Sequence, residues 1–311
     1  MSDIINLFTS HKSERSFTDQ PVDDAILDRI ISTAYRAPTS VNSQQVSLVV
    51  TRDAGKRQAI SQIAGGQPWI AKAPVFITLV LDMHKSRMAM AAVGKEQVAQ
   101  ESIESIVSGA TDVGIALGSI MAAARAEGLG IVPIGGIRRD PDAMISLLNL
   151  PEYTFPVAGV VIGYVDQPAF QKPRLPMQTF RHEESYHTEG LEQQIAAYNA
   201  EMVQHWQATG RADGESWSDS VSGYYQHIYF PNVLPALHKQ GFGSDKISLP
   251  ARAMPGQCPG GFPARSARHE LDAGPVSSLV FDTIERFIRA FNQQSCAFRS
   301  FPGRRRRHAS A

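Results

Sequence analysis

The segment His11-Lys12-Ser13-Glu14-Arg15-Ser16-Phe17 carries more information about this chain than any other. Its imidazole, ammonium, hydroxyl and guanidinium groups can all bind an anion, the arginine by forking to paired oxygens and the lysine as a point charge. The apolar residues before it, 4–8, predict a short helix. A solvated helix end, with its cations near the C-terminal dipole, is the alternative that the segment alone does not exclude.

A second basic segment, Gln171-Lys172-Pro173-Arg174-Leu175-Pro176, lies much further along the chain. Pro173 fixes its own φ and pushes Lys172 toward an extended conformation. Because side chains two apart in an extended segment lie on the same side, Lys172 and Arg174 can reach one target together. A phosphate is the natural target for such a pair. An ordinary surface loop with two solvated cations remains the alternative.

Composition predicts a globular protein with no special affinity for polyanions. The 311 residues (34.0 kDa) suffice for one large core, or for one core with a smaller appendage. The formal net charge is zero and the pI is about 7.1. We find neither a signal-peptide pattern nor an apolar run near the roughly 20 residues that span a bilayer. We therefore expect a cytoplasmic protein without a membrane or nucleic-acid partner.

The distribution of charge predicts two regions, 1–246 and 247–311. From residue 247 onward the sequence has ten arginines, no lysine and four acidic residues. We expect this basic extension to be partly disordered, with one helix near 278–292, and its role is unknown. A membrane or nucleic-acid role for the arginines at 304–307 is the less favoured alternative. Both cysteines, Cys258 and Cys296, lie in the extension, so the body has no disulfide framework, zinc site or catalytic thiol.

Hydrophobic periodicity predicts alternating helices and strands in the body. A helix is expected after a cap at Asp23 or Asp24, and another at 198–207. The longest helical pattern runs over 103–127, where three glycines permit close approach of another helix. Strands are expected at 46–50, 75–81, 130–134 and 157–165. The pattern is typical of an α+β or α/β fold without internal repeats.

Two loops and a glycine pair are suited to a flat, polar ligand. The hydroxyls and amides of Thr39-Ser40-Val41-Asn42-Ser43-Gln44-Gln45 and of Gly65-Gly66-Gln67 can hydrogen-bond along a heterocycle edge. Local Ser/Thr turns are the alternative. In Ile134-Gly135-Gly136, two residues without side chains let the backbone approach a ligand closely. The glycines upstream do not form a dinucleotide-binding loop, because Pro133 occupies the third glycine position.

Other catalytic patterns are excluded. In His182-Glu183-Glu184-Ser185-Tyr186-His187 the histidines are five apart and would not share a helical face, so we expect a loop and no metal site. The sequence has no Walker A motif and no Gly-x-Ser-x-Gly elbow. Without a nucleophile and base, any chemistry would be carried by a cofactor.

Together, these segments resemble the nitroreductase superfamily, specifically its NADPH-dependent nitroreductase and flavin reductase P group. The resemblance covers about residues 4–245, with the motifs in the expected order. It implies an α+β fold, an α/β sandwich whose central, mostly antiparallel sheet is flanked by helices, in a domain-swapped homodimer with FMN in a cleft between subunits. No catalytic side chain is implied, because the chemistry occurs at FMN N5.

The resemblance assigns two groups of FMN-binding positions. Those implied at the phosphate and ribityl chain are His11, Lys12, Ser13, Arg15, Lys172 and Arg174. Those implied at the ribityl chain or ring are Thr39, Ser40, Gln44 and Gln67, and Ile134, Gly135 and Gly136 complete the motif set.

The implied reaction is a ping-pong transfer of a hydride from NADPH to FMN, followed by two-electron reduction of a nitroaromatic or a quinone. The alternatives are a flavin reductase that releases reduced FMN and a flavin-binding protein without turnover. The loop that reads the NADPH 2′-phosphate is shortened here and keeps one arginine, Arg211, beside Asp213 and Glu215. NADPH is the expected reductant, and NADH use remains open.

Overall fold

The computed structural model describes residues 3–243, all within the unit Met1–Leu249. The predicted boundary at residue 246, the basic extension with its helix, and both cysteines lie outside the described residues.

A four-stranded antiparallel sheet forms the centre of the body, which confirms the expected α+β class. Its strands are β1 (Val46–Thr51), β2 (Val75–Asp82), β3 (Gly130–Ile134) and β4 (Thr154–Gly163), in the order β1-β2-β4-β3. Every residue of β2 is buried, as expected for a strand covered on both faces.

β4 begins three residues before the predicted start. Its first residues pair with the end of β2, where a bulge between Leu79 and Val80 shifts the register and opposes Val80 to Pro156. A proline has no N–H for the ladder and is tolerated in a strand at such an irregularity. Pro156 therefore concealed the start of this strand in the sequence.

Ten helices surround the sheet within residues 3–243. They are α1 (Asp3–Thr9), α2 (Asp24–Tyr35), α3 (Ala54–Ile63), α4 (Pro68–Lys72), α5 (His84–Ala92), α6 (Ile103–Ala126), α7 (Pro141–Leu148), α8 (Leu191–Ala208), α9 (Trp217–Tyr225) and α10 (Val233–Lys239). Asp23 caps α2 by accepting from the Ala25 N–H at 3.0 Å. The predicted helix at 198–207 begins earlier in the structure, at Leu191. The prediction missed its first turns because they are too polar to show a clear apolar stripe.

The core has a layer on each face of the sheet. On one face α2 and α6 pack against the strands through Ile30, Val113 and Ile120. On the other face α3, α4 and α7 cover a cluster that includes Phe76. A Cβ on Gly159 would overlap the Phe76 ring, so the sheet needs glycine there.

One face of α6 is apolar but exposed. Ile103 and Val107 are 66% and 53% exposed, and Gly114 has no atom of the described residues within 4 Å of an added Cβ. Judged by length and composition alone, α6 is the one helix within residues 3–243 that could cross a membrane. Core helices meet the same criteria, and the opposite face of α6 packs on the sheet.

Candidate functional site

The structure brings the two basic segments together in one pocket. Its lining consists of His11, Lys12, Ser13, Arg15, Phe170, Lys172 and Arg174. Lys172 and Arg174 of the second segment line this pocket and are only partly covered. The extended conformation expected around Pro173 is thus consistent with both cations reaching one target.

Main-chain contacts fix the first segment beside the sheet. The Glu14 N–H donates to the Ile131 carbonyl of β3 at 3.0 Å, and Phe17 pairs with Val165 just beyond β4. Upstream, Arg125 at the end of α6 donates to the Leu7 carbonyl and, at 3.1 Å, to the Ser10 carbonyl. The segment is therefore held from both sides, and the fold determines where its side chains point.

Positive charge in this pocket exceeds negative charge. Partial burial lowers the pKa of His11, and Arg125 and Arg174 lower it further, whereas Glu14 opposes them. Partial burial also lowers the pKa of Lys172, with further lowering by Arg15, Arg211 and Arg174. Each of these groups would be stabilised in its charged form by a bound anion.

A larger cavity of about 870 Å³ adjoins the pocket at Arg15. Gln67, Gly135 and Gly136 contribute to its lining. A Cβ on Gly136 would lie 2.7 Å from Gln67 Nε2 and 2.8 Å from the Ala64 carbonyl oxygen, so only glycine fits there. The Ile134 side chain is buried in the core instead of facing this space.

Sequence reasoning missed one wall of the large cavity. Residues 223–231 supply aromatic side chains, and Arg139 lies beside Gly65. The guanidinium carbon of Arg138 lies 5.7 Å from the centre of the Phe230 ring, and partial burial lowers the pKa of this arginine. Arg138 and Arg139, which follow Gly135-Gly136 after one isoleucine, were a usable signal. The aromatic wall carried none, because exposed tyrosines have no diagnostic spacing.

Thr39, Ser40 and Gln44 lie at a different place. Thr39 and Gln44 line a separate cavity of about 240 Å³ with Asp112 of α6. The Ser40 N–H donates to both Asp112 carboxylate oxygens, at 3.2 and 3.1 Å. The loop at 39–44 is thus held by Asp112, and the start of the first basic segment is held by Arg125 through Ser10; the two anchoring residues are thirteen positions apart on α6. At about 1.5 Å per residue the two loops are therefore about 20 Å apart along this helix.

The loop at 39–44 also has an unusual backbone. Val41, Asn42 and Gln44 all have positive φ, at 46°, 54° and 51°. Residues other than glycine rarely adopt this region, and such strain is concentrated at functional sites. Asp112 holds the conformation, because it accepts from the Gln45 side chain at 2.9 Å as well as from Ser40.

Arg211 lies near the basic pocket and lines neither cavity in the described part of the chain. Its guanidinium carbon is 4.4 Å from the centre of the Trp206 ring, and Lys172 Nζ is 4.9 Å from that centre. The Trp206 indole N–H donates to the Glu215 carbonyl at 3.1 Å. Trp206 thus connects the loop expected to read NADPH with the second basic segment.

Comparisons with known proteins cover the regions that build these cavities. A model described as "Nitroreductase family" matches residues 9–164, and one described as "Nitroreductase family, C-terminal domain" matches 172–245. An "FMN reductase [NAD(P)H]" of Bacillus subtilis is 40% identical over 249 residues, covering 79% of this chain and 100% of the relative. An "Oxygen-insensitive NADPH nitroreductase" of Salmonella typhimurium is 30% identical, with 78% and 100% covered. The solved structure of B. megaterium NfrA2 superimposes with a TM-score of 0.77 at 42% identity, over 79% of this chain and 100% of that one.

Proposed function

The chain belongs to the nitroreductase family, and from this membership we propose that it is an FMN-dependent oxidoreductase that takes reducing equivalents from NADPH or NADH. The observation that carries the proposal is the junction at Arg15 of a cationic pocket and a large, glycine-lined cavity. A flavin mononucleotide has a matching division into a phosphate and a flat ring.

The residues present fit FMN. Arg15, Lys172 and Arg174 would hold the phosphate, whose charge of about −2 would offset the local excess of cations. Gln67 and the backbone of Gly135 and Gly136 would adjoin the ring, because all three line the large cavity. When bound, FMN supplies the redox chemistry, accepting a hydride from NAD(P)H and passing two electrons to an acceptor.

The protein's own contribution is to bind, orient and provide an electrostatic environment. The guanidinium group of Arg139, which lines the large cavity with the glycine pair, would stabilise negative charge there. The aromatic wall at 223–231 would limit water access and offer flat surfaces for an aromatic acceptor. We assign no side-chain acid or base to this reaction, because water can supply the protons that the acceptor takes up.

We further propose that the enzyme is a homodimer in which FMN lies between subunits. In one chain, the loop with Thr39, Ser40 and Gln44 is held at Asp112, about 20 Å along α6 from Arg125, which holds the start of the first basic segment. In a dimer, the partner subunit's Thr39, the partner subunit's Ser40 and the partner subunit's Gln44 would complete the site. The exposed apolar face of α6 and the exposed side chains of Ile4 and Phe8 on α1 are surfaces that a second copy would cover.

The acceptor is proposed to be a nitroaromatic or a quinone. A flavin reductase that releases reduced FMN is the second candidate, favoured by the name of the 40% identical relative. Both reactions would use the same cavity, and its size of about 870 Å³ admits either kind of acceptor.

Steady-state oxidation of NADPH and of NADH tests the proposal. FMN-loaded protein is assayed with nitrofurazone, a quinone and free FMN as acceptors, with flavin-free protein as the control. Turnover with the first two supports the nitroreductase assignment, and turnover with free FMN alone supports the flavin reductase. If neither reductant is oxidised with any acceptor, the chain is a flavin-binding protein without this activity.

A further inference from the structure

Glu14 is a buried acid inside the first basic segment. The residue is 8% exposed, although glutamate is rarely buried without partners. Its Oε2 accepts from the Ala169 N–H at 2.7 Å, and its Oε1 lies 4.0 Å from Lys12 Nζ. The carboxylate is therefore fixed between two residues of the first segment that line the pocket, Ser13 and Arg15, without lining it itself.

The hydrogen bond to Ala169 joins the two halves of the pocket. Ala169 is followed at once by Phe170 and, a few residues later, by Lys172 and Arg174. These three residues line the pocket together with residues of the first segment. An added Cβ on Gly130 would overlap Val165 Cγ2 and lie 3.0 Å from Glu14 Cγ, so the glycine at the start of β3 leaves room for both side chains. One side chain thus links both basic segments and β3.

The hydrogen bond of Glu14 supports the pocket, but its negative charge opposes the binding of an anion there. Partial burial lowers the pKa of Arg15, and the negative charge of Glu14 partly opposes this shift. The carboxylate is therefore within electrostatic reach of the phosphate-binding cations. A negative charge there attracts those cations and repels an incoming phosphate. Its hydrogen bond favours the assembled pocket, whereas its charge weakens the binding of an anion.

We propose that Glu14 is a positioning residue that holds the two basic segments together and whose charge limits how tightly the FMN phosphate is retained. The inference rests on the proposed function. It assigns to a single acidic side chain the balance between retention and release of the flavin.

Two substitutions separate the two effects. Glu14→Gln keeps an oxygen for the Ala169 N–H and removes the charge, and Glu14→Ala removes both. We expect Glu14→Gln to lower the Kd for FMN by about threefold to tenfold, because the repulsion is removed. Glu14→Ala is expected to bind FMN at least about tenfold more weakly than Glu14→Gln, because nothing then accepts from the Ala169 N–H to hold the second segment in place.

Comparing FMN with riboflavin, and low salt with high salt, isolates the effect of the Glu14 charge on phosphate binding. Riboflavin lacks the phosphate, so its Kd should be the same in Glu14→Gln and the wild type. The gain in FMN affinity should shrink between about 50 mM and about 500 mM salt, because salt screens charges. Glu152→Gln, at an exposed glutamate, is the matched control and should leave both affinities unchanged.

The outcomes distinguish this inference from the proposed function. A wild-type protein that binds no FMN overturns both. If the wild type binds FMN and Glu14→Gln binds it equally or more weakly, the inference alone is wrong. Equal changes for FMN and riboflavin would also overturn it, since they would indicate a general structural effect. Should Glu14→Ala fail to fold, Glu14→Gln still decides.

Discussion

At the scale of residues, the basic pocket gathers several cations, and partial burial followed by neighbouring positive charge lowers the pKa of two of its members, Lys172 and His11. Lys172 is affected by Arg15, Arg211 and Arg174, and His11 by Arg125 and Arg174. Such a set repels itself unless an anion is bound, so we expect ligand binding and pH to act through the same side chains.

The phosphate-binding role of the pocket is tested by removing cations. Arg15→Ala, and Lys172→Ala combined with Arg174→Ala, should each weaken FMN binding by about 1.5–3 kcal/mol for every charge-assisted hydrogen bond removed. Riboflavin binding should change much less, because it has no phosphate. Fluorescence titration of both flavins measures this, with Lys56→Ala on α3 as an exposed control. Unchanged FMN binding in the variants would show that the phosphate lies elsewhere.

His11 makes stability depend on pH. Its pKa is lowered in the folded chain, first by partial burial and then by Arg125 and Arg174, while Glu14 opposes the shift. In the unfolded chain a histidine has a pKa of about 6.5 and binds a proton more readily. Stability should therefore decrease as pH falls through about 6.5, and it should be unaffected by His11 above that value.

Urea unfolding of the flavin-free protein at about pH 7.5 and about pH 5.5 measures this dependence. His11→Gln should lose less stability than the wild type between the two values. An identical loss in both proteins would mean that His11 does not contribute.

At the scale of elements, α6 contains glycines with different environments. A Cβ on Gly109 would overlap the Leu81 side chain of β2, whereas Gly114 meets no atom of the described residues within 4 Å. The helix therefore uses one glycine to approach the sheet, and another lies on the face proposed to contact a partner.

Gly109→Ala tests the packing of α6 on the sheet. Overpacking against Leu81 should cost about 1–3 kcal/mol, which exceeds the gain of up to about 1 kcal/mol from better helix propensity. The free energy of unfolding in urea gives the result. A more stable variant would show that helix propensity outweighs this overlap.

The elements could be predicted where hydrophobicity alone determines them. Continuous apolar runs located β2 and β3, and the pair Asp23 and Asp24 located the start of α2, where the structure selects Asp23 as the cap. The start of β4 was missed because a bulge accommodates Pro156, a tertiary effect with no local signature. The start of α8 was missed because polar residues dilute its apolar stripe.

At the scale of the whole molecule, a single chain brings only some of the predicted site residues together. Sequence motifs could identify the two basic segments, which the fold joins, but not that the loop at 39–44 lies apart from them, against Asp112 near the middle of α6. Separation in space depends on the arrangement of helices on the sheet, which motifs do not encode. The aromatic wall at 223–231 was missed for the same reason.

The proposed dimer is tested by filling the exposed face of α6. Gly114→Leu should shift the protein from dimer to monomer and reduce FMN binding, because the site would lack the residues that the second subunit supplies. Sedimentation velocity and flavin content measure both effects, and Gln58→Leu on α3 is an exposed control. A variant that remains dimeric with full flavin content would exclude this face from the interface.

Anaerobic mixing of the FMN-loaded protein with NADPH, and separately with NADH, tests the central claim most directly. The visible absorbance band of the oxidised flavin should disappear promptly with at least one reductant and return when nitrofurazone or a quinone is added. A protein that binds no FMN, or whose bound flavin keeps its absorbance with both reductants, would contradict the account.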